Sequence, residues 1–184
     1  MLYNADHAVM QWCDGEQWVG FPKPSSNEVD FCETGSIGSV CEDGAIYAGE
    51  LNGKRLYAAA ADETPSPSWN NDTSNYTVTG VASLTDGLGN TNTLVSFSDA
   101  GAPYMAAETC RARGAGWYLP AINELNVLYV NRDTIGGFDT SFYSSSTESD
   151  AAKAKILRFR GDGQLPIDGY KSNEYMVRCI RQNN

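Results

Sequence analysis

His7 is the only histidine in a chain of 184 residues. A Ser-His-Asp or Cys-His catalytic arrangement needs an imidazole beside its nucleophile, so the long stretch after residue 7 offers no hydrolase triad. There is no C-x-x-C pair either, and five cysteines without a second histidine argue for disulfides rather than zinc. Basic residues are scarce: 13 Lys and Arg against 23 Asp and Glu give a formal net charge of −10. Such a chain repels a phosphate backbone, and only residues 153–160 cluster cations, so no nucleic-acid partner is expected. No apolar run approaches the roughly 20 residues of a membrane span, so no membrane insertion is expected. The first residues, Met1-Leu2-Tyr3-Asn4-Ala5-Asp6, lack the basic start and apolar run of a signal peptide. Neither G-x-x-x-x-G-K-[ST] nor G-x-G-x-x-G follows a strand, which leaves phosphate cradling without a basis.

What the chain does have is 18 glycines, ten tyrosines and a hydrophobic fraction of 41%. That suits short strands and long ordered loops around one good core, with a small appendage. Residues 1–21 read as a β-meander: Leu2-Tyr3-Asn4, Val9-Met10-Gln11-Trp12-Cys13 and Gln17-Trp18-Val19-Gly20-Phe21, with Asp14-Gly15 as a hairpin turn. Residues 22–31 have a linker's composition, since Pro22 and Pro24 deny ladder hydrogen bonds. Residues 32–184 form the main domain. Within it Ala45–Gly49, Leu56–Ala59, Tyr143–Glu148, Ala154–Arg160 and Tyr175–Ile180 read as strands, and residues 62–77 as a long polar loop. One helix is expected around Pro103, with Ser98 or Asp99 as cap and Gly114 at its end. A second spans Ala121 to Asn131, where Ile122, Leu125, Leu128 and Tyr129 recur at helical spacing.

Cys32 and Cys41, with Gly35 and Gly38 between them, are placed to staple a local loop. Cys13 is either a buried thiol or a cysteine whose partner lies upstream. No cofactor and no metal site is expected, although a structural calcium stays open. Trp69-Asn70-Asn71-Asp72 reads as loop chemistry, and Asp86-Gly87-Leu88-Gly89-Asn90 has oxygen ligands without the spacing of an EF-hand.

Three separated blocks stand out: Gly116-Trp117-Tyr118-Leu119-Pro120-Ala121-Ile122-Asn123-Glu124-Leu125, then Phe142-Tyr143-Ser144-Ser145-Ser146-Thr147-Glu148, then Val177-Arg178-Cys179-Ile180-Arg181. Their order resembles the bacterial and phage domain with WYLP-x-x-NEL, YWSSTE and VRC-hydrophobic-R, known as the DUF1566 or Legionella collagen-like (Lcl) C-terminal domain and related to C-type lectin folds. Thr79-Gly80, Thr85-Asp86-Gly87, Asn90-Thr91 and Ala106-Ala107-x-x-Cys110 extend the match over about residues 44–182. Ser144 and Lys155 stand where the family commonly has Trp. Residues 1–21 resemble a short module of bacterial and phage surface proteins that follows a cysteine missing here, so the chain is expected to be the C-terminal piece of something longer.

The resemblance implies an α+β, C-type lectin-like fold, with two helices packed on short antiparallel strands and long ordered loops, plus the N-terminal meander. It also implies a Cys110–Cys179 disulfide and hence an oxidising compartment, with Trp117, Leu119, Leu125, Tyr143 and Cys179 as scaffold. Related formylglycine-generating enzymes rely on reactive cysteines, whereas Cys110 and Cys179 read as structural, and no enzymatic activity is expected. The family includes variable proteins of diversity-generating retroelements, in which the segment between the last two blocks is rewritten. Candidate ligand-binding residues are therefore Ser144, Ser149, Asp150, Lys153, Lys155, Arg158, Arg160, Asp162, Gln164, Asp168, Tyr170 and Lys171. The expected function is an adhesin-like protein of a bacterial surface or virion, extracellular, recognising a cell-surface protein or glycan. A homotrimer is the family-based expectation. The alternative is a glycan-active or modifying enzyme on the same fold, because carboxylate pairs for glycoside cleavage need distance rather than sequence spacing.

Overall fold

The computed structural model describes residues 2–4, 9–13, 18–20, 32, 35–71, 76–161 and 165–183. The linker 22–31, the Asp14-Gly15 turn, Asp72, Asp162 and Gln164 fall outside the described residues. The expected meander is present as β1 (Leu2–Asn4), β2 (Val9–Cys13) and β3 (Trp18–Gly20), antiparallel in that order.

The main domain is a mixed α+β structure. Its four-stranded sheet holds β4 (Ile46–Leu51), β5 (Lys54–Ala58), β6 (Trp117–Tyr118) and β10 (Ile180–Gln182), in the order β4-β5-β10-β6. β4 and β5 form a hairpin through Asn52-Gly53, whose φ values of 53° and 77° are those of a type I′ turn. Register sorts the sheet into two rows. Ile46, Ala58, Ile180 and Tyr118 lie side by side facing the core, while Tyr47, Tyr57, Arg181 and Trp117 form the row on the opposite face.

The third sheet is β7 (Phe142–Glu148), β8 (Lys153–Arg158) and β9 (Ile167–Tyr170), antiparallel with β8 in the centre. Between the two sheets lies α3 (Ile122–Val130), where the sequence pattern places it. Its Leu125, Leu128 and Tyr129 pack with Leu56, Tyr143, Leu157 and Phe159. The first turn of α3 is satisfied from two sides: Glu124 accepts from Ala121 N at 2.7 Å, and Thr147 Oγ1 of β7 accepts from Ile122 N at 3.0 Å. α4 (Arg132–Ile135) follows directly.

Two other helices differ from expectation. α2 (Met105–Arg111) begins after Pro103 rather than around it, and Asp99 does not cap it. Asp99 instead accepts from Gly101 N, Ala102 N and the Tyr104 hydroxyl, which closes the turn ahead of the helix. Gly114 lies beyond the C-cap, Ala112. α1 (Gly87–Leu94) is a helix that the sequence pattern does not predict: Asp86, one of the oxygen ligands of the 86–90 stretch, caps it by accepting from Gly89 N at 2.9 Å. The expected strand at Tyr175–Ile180 is also shorter, because residues 175–179 hydrogen-bond to several different elements and only Ile180 onward joins a ladder.

Both disulfides are present. Cys110–Cys179 ties α2 to the approach to β10, and Cys32–Cys41 closes the local loop against Tyr47 and Tyr57. The 69-residue separation of the first pair corresponds to about 4 kcal/mol of lost unfolded-state entropy. Among the expected scaffold residues, Leu119, Leu125, Tyr143 and Cys179 are buried, but Trp117 is only partly so. Trp117 belongs to the row on the other face of the sheet, at the edge of the buried cluster of Tyr47, Tyr57, Cys32 and Cys41, whereas Trp69 is fully packed and donates to Ser145 O at 2.9 Å.

Candidate binding face

β7 is almost wholly buried although it reads Ser144-Ser145-Ser146-Thr147-Glu148. Buried polar groups must be hydrogen-bonded, and most of these side chains tie in a separate element. Ser145 Oγ donates to Lys155 O of β8, and Ser146 Oγ accepts from Asn90 of α1. Thr147 holds α3 and donates to Ser83 O. Glu148 accepts from Thr79 N, Gly80 N and Thr79 Oγ1, and forms an ion pair with Lys171. Only Ser144 Oγ lacks a partner.

A matching anchor lies on the other side of the segment. Arg178 is completely buried and donates to Asp62 Oδ1 at 2.6 Å and to Ala59 O at 3.1 Å, with further bonds to Gly136 O and Gly137 O. Asp62 also accepts from the Tyr143 hydroxyl at 2.6 Å. Burial first, then that bond to Asp62, pushes the Tyr143 hydroxyl well above its ordinary titration range. Residues 143–148 and 177–180 are thus buried and cross-linked, while the segment between them carries the exposed side chains.

Register decides what that segment presents. Lys153 is opposite Tyr170 and Lys155 is opposite Asp168, and residues opposite each other or two apart share a face. Lys155 Nζ donates to Asp168 Oδ1 at 2.6 Å, and Ser149 Oγ donates to the same oxygen at 2.7 Å. The Lys155 bond first, then the Ser149 bond, holds the Asp168 carboxyl below its ordinary range. Lys153 Nζ stands 5.4 Å from the centre of the Tyr170 ring, and Tyr170 is 51% exposed. Five of the candidate residues, Ser149, Lys153, Lys155, Asp168 and Tyr170, therefore form one contiguous outward patch.

The remaining candidates separate. Asp150 is exposed but accepts from Ala152 N and Lys153 N, so it shapes the β7–β8 turn. Arg158 lies on the reverse face of β8, with its guanidinium 5.4 Å from the Phe142 ring, and Arg160 is exposed beyond the strand. Two assignments are corrected. Ser144 and Lys171 are each only 1% exposed, so neither belongs to a surface. Lys171 is an anchor because its ammonium is needed to neutralise Glu148 and also donates to Thr77 O. Pattern reading missed Asp62, Glu148 and Arg178 as anchors: Glu148 and Arg178 are charges set in the buried second and third blocks, whereas Asp62, next to the exposed Ala60 and Ala61, gave no signal.

Among the described residues no group of three His, Cys, Asp or Glu side chains is placed to hold a metal ion, and no helix is long and apolar enough to cross a membrane. In the 69–71 stretch, Trp69 and Asn70 are buried, and Asn71 Nδ2 donates to Ala100 O and Ala102 O. No protein-family model and no curated protein matches this chain.

Proposed function

We propose that the chain is a ligand-binding display protein that recognises a cell-surface protein or glycan through the patch of Ser149, Lys153, Lys155, Asp168 and Tyr170. The observation that carries this reading is the contrast along residues 143–180. A segment with one polar, aromatic face is held at each end by a buried ion pair, Glu148–Lys171 and Asp62–Arg178. Fixed ends and a free face are what recognition needs: little ordering entropy is lost on binding, and Tyr and Lys stems supply contact area. The fold reading is a C-type lectin-like scaffold of the DUF1566 type, supported by the α+β layering and by the order of the three sequence blocks. The two disulfides suit a protein that matures in an oxidising compartment and acts outside the cell or on a virion.

The sharper version is a variable protein of a diversity-generating retroelement. It expects a near-repeat of the codons for residues 142–181 beside a reverse transcriptase gene. Binding itself is tested with a glycan array and with labelled bacterial cells. Lys153→Ala, Lys155→Ala and Tyr170→Ala together are expected to abolish retention while leaving the melting temperature unchanged. Undiminished binding by a folded triple variant rules out this patch.

A further inference from the structure

The reverse face of the β7-β8-β9 sheet is covered by a residue from outside it. Ser144 on β7 is opposite Ile156 on β8, and Phe142 and Gly169 lie on the same face by alternation. Tyr175 crosses this face. Its ring centre is 6.3 Å from that of Phe142. At the other end its Cε2 and hydroxyl stand 2.9 and 2.8 Å from the point a Gly169 Cβ would occupy, and Ile156 Cδ1 stands 2.7 Å from that same point. The ring thus has Phe142 of β7 on one side and Gly169 of β9 at its hydroxyl end, on the face that Ser144 and Ile156 share. Gly169 is what lets it lie close.

On this same face the Ser144 hydroxyl is buried and has no hydrogen-bond partner. Buried hydroxyls are nearly always satisfied, and an exception calls for a cause. The Tyr175 hydroxyl does not supply the bond; it accepts from Nδ2 of the exposed Asn173 at 3.1 Å. The backbone around Tyr175 is pinned by bridges of Glu174 with Ser68 and of Met176 with Tyr143. The half-buried Tyr175 side chain can therefore rotate while that backbone stays in place.

We propose that Ser144, Ile156 and Gly169 form the floor of a subsite for the tyrosine side chain of a protein partner, with Tyr175 as an internal stand-in that swings aside. The floor already accommodates one phenol ring. It carries no charge, so a neutral ring fits, and a hydroxyl is what Ser144 lacks. The outward patch around Lys155 and Tyr170 takes no part, so either site can fail without the other.

The test uses N-acetyl-tyrosinamide and N-acetyl-phenylalaninamide as probes, with binding followed by NMR. Tyr175→Ala is expected to bind the tyrosine probe about tenfold more tightly than the phenylalanine probe, the difference that one net hydrogen bond makes. Adding Ser144→Ala is expected to make the two equal. A folded Tyr175→Ala that binds both equally, or neither, overturns the proposal. Should that variant fail to fold, the full chain labelled with 3-fluorotyrosine decides, with the Tyr175 signal identified through Tyr175→Phe. That signal is expected to move to a solvent-exposed position as the tyrosine probe is added, and an unmoved signal at saturating probe overturns the proposal.

Discussion

Lys171 and Glu148 form an ion pair inside the protein, with side chains only 1% and 5% exposed. Glu148 closes β7 and Lys171 follows β9, so the pair fastens the display segment to the loop that carries Thr79 and Gly80. Removing one partner strands a buried charge, which costs about 3–5 kcal/mol. Lys171→Met is expected to lose that much in urea unfolding. The double variant Lys171→Met, Glu148→Gln is expected to lose less than the two single changes summed, because contacting residues are not additive.

The indoles of Trp69 and Trp117 separate cleanly. Trp69 is 2% exposed, meets Tyr104 edge-on and has Lys171 Nζ at 4.6 Å from its ring. Trp69→Ala is therefore expected to destabilise by about 3–5 kcal/mol. Trp117 is partly exposed beside Arg113, and Trp117→Ala is expected to cost under about 2 kcal/mol. Equal losses in thermal unfolding would show that the Trp117 ring is packed as fully as that of Trp69.

How much of such a fold is legible in the sequence depends on where the stabilising energy lies. α3 is legible because its own apolar spacing creates the stripe that it buries. α1 is not, since Gly87-Leu88-Gly89-Asn90-Thr91-Asn92-Thr93-Leu94 consists mostly of poor helix formers. Its support is tertiary: Asn90 donates to Ser83 O and Ser146 Oγ, and Thr91 bonds to Leu119. The sequence alternation of β8, with Ile156, Arg158 and Arg160 on one side and Lys155, Leu157 and Phe159 on the other, names no polar face, for a related reason. Toward its C-terminal end the central strand is packed on both faces, so Ile156 and Leu157 are both buried, while Lys153 and Lys155 nearer its start stay on the open side. Ser149 and Asp168 come together only through ladder register and a turn, neither of which composition encodes.

Gly87 illustrates a constraint that only packing reveals. A Cβ there would lie 2.3 Å from Glu124 Oε2 and 2.5 Å from Ala121 N. The second is backbone at the start of α3 and cannot yield. Gly87→Ala is expected to destabilise by about 1–3 kcal/mol despite its higher helix propensity. An alanine variant as stable as the parent in urea would mean that α1 and α3 are free to move apart.

Glu124 sets the expected pH response. Burial pushes its carboxyl up to about 7, against the bonds from Ala121 N, the Tyr118 hydroxyl and Gly87 N that favour the charged form. The folded protein thus holds a proton that the unfolded chain releases near 4.5, so stability is full below that value and declines as pH rises to about 7. The loss is on the order of 3 kcal/mol. Asp168, held low by Lys155 and Ser149, acts in the opposite sense and only below its ordinary range, as the pH falls. Glu124→Gln is expected to flatten the decline between pH 4.5 and 7; an unchanged slope in that variant would assign it to another group.

The last prediction separates the display face from its support. Ser149, Lys153, Lys155, Asp168 and Tyr170 make their contacts at the surface, where single substitutions change stability by about 0.5 kcal/mol or less. Leu157 and Phe159, from the same stretch of chain, are buried in the core with Tyr143 and Leu125, where truncation to alanine costs about 2–5 kcal/mol. In a displayed library randomised from 149 to 171 and sorted only for protease resistance, the five outward positions are expected to accept most residues. Ala154, Ile156, Leu157, Phe159, Gly169 and Lys171 are expected to return near their present identity. Sorting the same library for binding to cells should then narrow Lys155 and Tyr170 while leaving the buried set as it was. If Lys155 and Tyr170 are as strongly retained under protease selection alone, their role is in folding and the patch loses its claim to recognition.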